Sequence, residues 1–212
     1  MAYHHGNLRE ALVQAGLDIL ETEGLGALSL RGCAARVGVS HAAPKNHFQN
    51  LERLTVAICA EGHRRLSATM RERLRGAPAE PRARIAAAAE GYLAFALENP
   101  DLFRLMFSQP RTAAYDPDLR EAGDESHDIL REICAPLASR INGVPVPRAV
   151  IETMVWSYVH GYASLAVNNR FRRQQVAMGR MPGIAEAMPA FEIEGEGLRA
   201  PCPPEVGAAE AK

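Results

Sequence analysis

The chain has 212 residues, an apolar fraction of 47% and a formal net charge of −1 at pH 7. Such a length and composition suffice for one or two domains with a sizeable core, and the near-neutral balance excludes a histone-like or polybasic protein. The total conceals a gradient. Ten basic residues stand against seven acidic ones through Arg75, and fourteen against eighteen beyond it, so the N-terminal part is the positive end.

Cys33, Cys59, Cys134 and Cys202 are far apart with no CxxC pair and read as reduced thiols. No run of eighteen apolar residues occurs, and His4, His5, Asn7, Arg9 and Glu10 stand where a signal peptide needs an apolar stretch. A cytoplasmic location with no membrane partner is the expectation.

In chain order, Asn7 and Glu10 have capping-box spacing, and Leu8, Leu12, Ala15, Ile19 and Leu20 then form the stripe of a first helix that Gly24 and Gly26 close. His4 and His5 precede it. Neighbours on an extended arm point apart and no third ligand is nearby, so no metal site is read there, nor any cofactor.

Residues 28–48, LSLRGCAARVGVSHAAPKNHF, organise the N-terminal part. Ser29 is placed to cap a helix whose apolar face is Leu30, Cys33, Ala34 and Val37. Gly38 supplies the left-handed residue that ends it, and Val39 plugs the inside of the turn. Ser40 then starts a second short helix of small and polar residues, His41, Ala42, Ala43, Lys45, Asn46 and His47, which Phe48 anchors.

Helix, glycine turn, helix is the helix-turn-helix arrangement, whose second helix lies in the DNA major groove. Arg31, Arg36, Lys45 and Arg53 outnumber the single acid Glu52 across residues 27–55, a positive strip suited to phosphates. The competing reading is a helical corner of an ordinary bundle with a solvated charged face.

Asn50 is placed to cap a longer helix carrying Leu51, Leu54, Ile58, Leu66 and Met70, which ends in Arg71, Arg73 and Arg75 before Gly76. Residues 76–81, GAPAEP, cannot continue it and read as a hinge. An alanine-rich helix over 82–98 follows. Asn99 and Pro100 then open a short helix through Phe107, with Asn99 as its cap.

Asp116 and Pro117 start a helix holding His127, Ile129, Leu130 and Ile133. Pro147 starts another through Ile151, Val155, Val159 and Leu165 to about residue 169, and no stretch here demands a strand. Trp156 and His160 share one face of that helix, and Gly161 permits close approach of a second helix. From Gly179 through Met181, Pro182 and Gly183 an apolar segment to Phe191 makes one last helix, and the last twenty residues read as disordered.

Paired carboxylates, a nucleophile with its base, a phosphate-cradling loop and metal-ligand spacing are not recognisable, so no catalytic residue is assigned. His127 and His160 as acid or base in an aromatic pocket leave a small helical enzyme as an alternative.

From about Tyr3 to Leu66, the opening YHHGNLR, the ETEG helix end, the LSLR entry, the GVS turn and the HF pair together closely resemble the N-terminal domain of TetR-type transcriptional regulators. The Trp156, His160, Gly161 spacing resembles a W…HG helix of one TetR subgroup. Two positions depart from the family pattern. Lys45 stands where a tyrosine is usual and Leu51 where a lysine is usual, which puts individual phosphate contacts in question.

The resemblance implies an all-α protein: a helix-turn-helix DNA-binding domain over 1–50, a connecting helix and hinge over 51–76, a helical ligand-binding and dimerisation domain over 77–190, and a tail over 191–212. It implies a ligand-responsive regulator, a repressor that a small apolar or aromatic effector releases from a palindromic operator on double-stranded DNA, acting as a homodimer. Ser40, Lys45 and His47, with Arg31 and Arg53 as weaker candidates, fall to phosphate. His41, Ala42 and Asn46, with Ala43 beside them, fall to base edges or thymine methyls.

An arm before the first helix would add an auxiliary DNA contact. The dimer surface falls to residues 147–169 and 184–188. The effector pocket falls to Tyr92, Phe95, Phe103, Met106, Phe107, His127, Trp156 and His160, for which plain core packing stays the competing reading. A helical ligand-binding or scaffold protein that has lost DNA binding is the alternative for the whole chain.

Overall fold

The computed structural model describes residues 8–108, 116–141 and 143–189. The arm with His4 and His5, the Asn7 cap, Cys202, Phe191 and the tail over 191–212 lie outside the described residues.

The first helix, α1, is Leu8–Thr22, and Leu12, Val13, Ala15, Leu17, Ile19 and Leu20 are its buried face. Gly24 follows at φ 85, a conformation that side-chain-bearing residues rarely adopt, and turns the chain into a 3-10 turn at Leu25–Ala27. In α2, Leu30–Val37, Ser29 accepts a hydrogen bond from the Gly32 amide and caps the helix as its side chain suggests. Gly38 takes φ 80, and the amides of Gly38 and Val39 donate to the carbonyls of Ala35 and Ala34, a Schellman closure.

The long α3 is Leu51–Arg75, with Asn50 Oδ1 accepting from the Arg53 amide. Its two halves serve different neighbours: near its start Ile58 packs on Gly16 of α1, and its later turns meet the helices that follow. Those are α4, Pro81–Glu98, α5, Pro100–Phe107, and α6, Pro117–Cys134. The α3–α4 approach is tight at Gly91, where an added methyl would stand 2.8 Å from the Met70 Cα and 3.0 Å from the Thr69 carbonyl oxygen. The helix α7, Arg148–Val167, closes the layer beside α4 and α6. One continuous apolar core runs from Leu12 through α3 to Ala163.

Four local expectations are corrected. Residues 40–48 do not form an α-helix: there is only a four-residue 3-10 turn, Ala43–Asn46, and Ser40 makes no side-chain cap. Pro44 decides this. In a helix capped by Ser40 the first intrahelical bond would run from residue 44 to the Ser40 carbonyl, and proline has no N–H to donate while its ring crowds that carbonyl. The chain uses shorter bonds instead, from the Ala43, Lys45 and His47 amides to the Ser40, Ala42 and Pro44 carbonyls.

Asn99 does not cap α5 with its side chain, since its Nδ2 donates backward to the Phe95 carbonyl. A small antiparallel pair exists where no strand was expected, β1 Arg140–Ile141 with β2 Val144–Pro145, and Gly143 at φ 77 lies between them. The Asn142-Gly143 dipeptide is the sequence signal for such a hairpin. The last helix is α8, Arg172–Met178, ahead of Gly179, and residues 184–187 form only a turn. Pro182 and Gly183 leave that apolar segment too short a run to nucleate a helix.

Candidate functional site

Two places gather the chemistry-bearing residues. The first is the surface above α2. Ser40, His41, Ala42, Lys45, Asn46 and His47 are exposed there and Ala43 is half-buried, whereas Pro44 and Phe48 are buried beneath them. Phe48 is held from the other side by Arg9 of α1, whose guanidinium lies 5.4 Å from the ring centroid. Burying Pro44 and Phe48 thus turns a run of nine residues into a short polar ridge with rigid footings.

The charges around the ridge are not equally available. Arg36 is spoken for by Glu23 at 2.7 Å and by the Thr22 hydroxyl. Arg53 lies 3.8 Å from Asp116 at the start of α6. Arg31 and Lys45 are exposed and make no ion pair among the described residues. Asp118, two residues beyond Asp116, pairs with both Arg9 and Arg64, so three arginines of α1 and α3 converge on the first turn of α6.

The second place is a cavity of about 130 Å³ between α3, α4, α6 and α7. Of the sequence-predicted pocket residues, Tyr92, Phe107, His127 and Trp156 line it. His160 stands behind Tyr92, with Nδ1 2.8 Å from the phenol oxygen, and packs edge-on against Phe107 at 4.4 Å between centroids. Phe95, Phe103 and Met106 do not line it. Phe95 is buried outright, Phe103 meets Tyr92 edge-on and lies tilted against Phe107, and Met106 fills the space over Gly62.

Three polar residues of this place escaped the sequence reading: His63, Ser67 and Ser126. Ser126 Oγ meets His63 Nδ1 at 3.3 Å and Ser67 Oγ at 3.0 Å. A signal for His63 existed, because it falls in the apolar stripe Cys59, Leu66 and Met70 on the inner face of α3. Burial holds His63 and His160 below the ordinary imidazole value, so both stay neutral near pH 7. Burial likewise pushes the Tyr92 phenol up, and raises the free thiols of Cys33 to about 11 and of Cys59 and Cys134 to about 12.

At the rim, His127 Nε2 lies 3.8 Å from Glu152. No group of three or more His, Cys, Asp or Glu able to hold a metal occurs among the described residues, and none of their helices is long and apolar enough to cross a membrane.

Comparison with known proteins fits this architecture. Residues 85–181 match the family model described as tetracyclin repressor-like, C-terminal domain. Among solved structures, a protein of unknown function from Rhodococcus sp. RHA1 shares 30% identity and superposes with a TM-score of 0.70, over 88% of this chain and 94% of that one. A TetR family transcription regulator from Marinobacter aquaeolei VT8 has 18% identity and a TM-score of 0.57, over 78% and 86%. The TetR family regulator PfmR from Thermus thermophilus has 19% and 0.52, over 90% and 100%; at such identities these two show the fold. No curated protein sequence matches. Residues 85–181 thus match a tetracyclin repressor-like C-terminal domain, and with the N-terminal helices ahead of it the mostly helical chain has the fold of TetR family transcription regulators.

Proposed function

We propose that the chain is a cytoplasmic, homodimeric repressor, with no enzymatic activity, that leaves a palindromic operator when a small apolar or aromatic effector enters the cavity. The observation that carries this reading is the exposed ridge of residues 40–47 standing on buried Pro44 and Phe48, directly after a glycine-closed α2. Lys45, Ser40 and His47, with Arg31 beside them, fall to phosphates. His41, Ala42, Ala43 and Asn46 present small or forked groups to base edges, and Arg53, shared with Asp116, is the weakest phosphate candidate.

A four-residue turn reads few base pairs, so two copies are needed and the operator should carry two half-sites. The dimer face falls to one side of α7. Val150, Met154 and Leu165 are exposed there, Ser157 continues the stripe, and an added methyl on Gly161 would meet nothing within 4 Å. The segment after α8 adds to that face: Tyr158 donates to the Ile184 carbonyl at 2.6 Å and Tyr162 to the Pro182 carbonyl. Ile184 itself is buried within the protomer, which leaves its neighbours to make the contact.

On this division the DNA-binding head spans 1–50, α3 with the hinge spans 51–76 and connects, and 77–190 binds ligand and partner. The effector shifts the balance of head orientations by its differential affinity and no more, and DNA opposes ligand by the same factor. A second reading, a helical ligand-binding protein without a DNA role, is favoured by the brevity of the ridge and by the engagement of Arg36 and Arg53.

One experiment separates the two: binding of the purified chain to DNA flanking its own gene against random duplex, across a salt series. Preference for the native DNA with a steep salt slope is the expected result. Equal, weak binding to both duplexes favours the second reading.

A further inference from the structure

We propose that the cavity between α3, α4, α6 and α7 accommodates an uncharged single-ring aromatic molecule bearing one hydroxyl, of which phenol is the simplest member. This rests on reading the cavity as the effector site.

Size comes first. About 130 Å³ is close to the roughly 150 Å³ of an apolar protein cavity that holds one benzene, and well under the ~300–1,000 Å³ of sites for drug-sized ligands. A fused multi-ring compound or a long acyl chain exceeds that volume and would have to extend out through the open side of the cavity.

The walls give the chemistry. Leu66, Met70, Ile129, Ile133, Val155 and Val159 are buried or face inward around it, and Phe107, Tyr92 and Trp156 add aromatic surface. Offset and edge-on contacts favour a flat ring among such neighbours. Among the described residues no lysine or arginine lines the cavity, so a carboxylate or phosphate would be desolvated there with no compensating charge from them. Glu152 faces His127 at the rim, and neither it nor any other carboxylate of the described residues is part of the lining, so an ammonium group has no partner among them either.

The hydroxyl is selected by His63. Its Nδ1 is engaged by Ser126, whereas Nε2 has no hydrogen-bond partner among the described residues. No side-chain nitrogen or oxygen that is shut off from solvent is left unpaired among those residues, so this nitrogen is reachable, and His63 lines the cavity. Ser126 Oγ also lies near the Ala122 and His63 carbonyls and the Ser67 hydroxyl, so the imidazole takes whichever tautomer the serine pair dictates. A hydroxyl both donates and accepts, and so satisfies Nε2 in either tautomer, which a carbonyl or an ether does not.

Trp156 is the only tryptophan of the chain and lines the cavity, which makes its fluorescence a direct reporter. The full-length protein is titrated with phenol, toluene, benzoate, benzylamine and decan-1-ol, following Trp156 emission and heat, and DNA binding is read in parallel. Saturable binding of phenol is expected, with toluene about tenfold weaker for want of the hydrogen bond, and no binding of benzoate or benzylamine. His63→Leu should bring phenol down to the toluene level and leave toluene unchanged, and Ser126→Ala, a milder change, should reduce the same preference.

Tighter binding of decan-1-ol or benzoate than of phenol, or no binding of phenol at all, overturns the ligand class. If decan-1-ol binds and releases DNA, the effector-site reading stands without the ring. If phenol binds and moves Trp156 but leaves DNA binding unchanged, the ligand class stands and the effector-site reading falls.

Discussion

The head and the cavity region are built on opposite principles. In the head, the polar residues are carried outward on a ridge and the apolar ones, Phe48 and Pro44, are footings. In the cavity region the polar residues, His63, Ser67, Ser126 and Tyr92, are turned inward and hydrogen-bond to groups on neighbouring helices. The first arrangement suits a large charged surface that must be met in water; the second suits a small uncharged molecule that must leave water. What joins them is α3, whose early turns pack on α1 and whose later turns line the cavity, together with the arginines of α1 and α3 that meet Asp116 and Asp118.

If the two regions share one core, damage in either should be felt in both. Leu12 of α1 is fully buried, and Leu12→Ala should cost about 2–5 kcal/mol. Trp156 sits on α7, far along the chain from it, so denaturant unfolding followed by Trp156 fluorescence should show the whole loss in a single transition. A Trp156 transition that stays where it was would divide the molecule into two independently folding regions.

The next effect sharpens the contrast within the cavity region. Gly91→Ala drives a methyl against backbone atoms of α3, which cannot step aside, so a loss of about 1–3 kcal/mol is expected from thermal or denaturant unfolding. At Gly62 the obstacle is the Met106 sulfur, the far part of a flexible side chain, and Gly62→Ala should be the milder of the two.

Acid should single out the inward-facing region. His63 and His160 have native pKa values lowered from 6.5, by burial in both cases. Just below that pH the unfolded chain binds more protons at these positions than the native one, so stability is complete above about 6.5 and falls as pH drops toward the lowered native values. Thermal midpoints across that range check this, and His63→Leu should flatten part of the slope. A midpoint that rises on acidification through this window would contradict the burial of the two imidazoles.

The same contrast explains what was legible in the sequence. Ser29, Gly38, Asn50 and Asp116 were readable because a cap or a left-handed turn is settled by residues three or four positions away. Pro44 carried an equally local message, and the four-residue 3-10 turn is its consequence. The cavity was legible only in part. Tyr92, Phe107, His127 and Trp156 stand out as aromatics at helical spacing, but Phe95 and Phe103 have the same spacing and are core, since which face turns to the cavity depends on how four helices meet. Ser126 is an ordinary serine until α6 brings it to His63, 63 positions away in sequence.

The smallest effect on stability, and the one most specific to the head, belongs to Lys45. It is exposed and makes no ion pair among the described residues, so Lys45→Ala should leave the unfolding midpoint within about 0.5 kcal/mol of the parent. Its effect should appear on DNA alone. An ammonium facing a phosphate is blind to base sequence, so the variant should bind every duplex more weakly by a similar factor and lower the slope of log affinity against log salt by about one unit. Asn46→Ala is its counterpart: a lost amide fork should relax preference at one base pair of each half-site and leave the salt slope in place. If Lys45→Ala instead changes sequence preference and Asn46→Ala changes the salt slope, the ridge lies on DNA in the reverse sense, with residue 46 on the backbone and residue 45 in the groove.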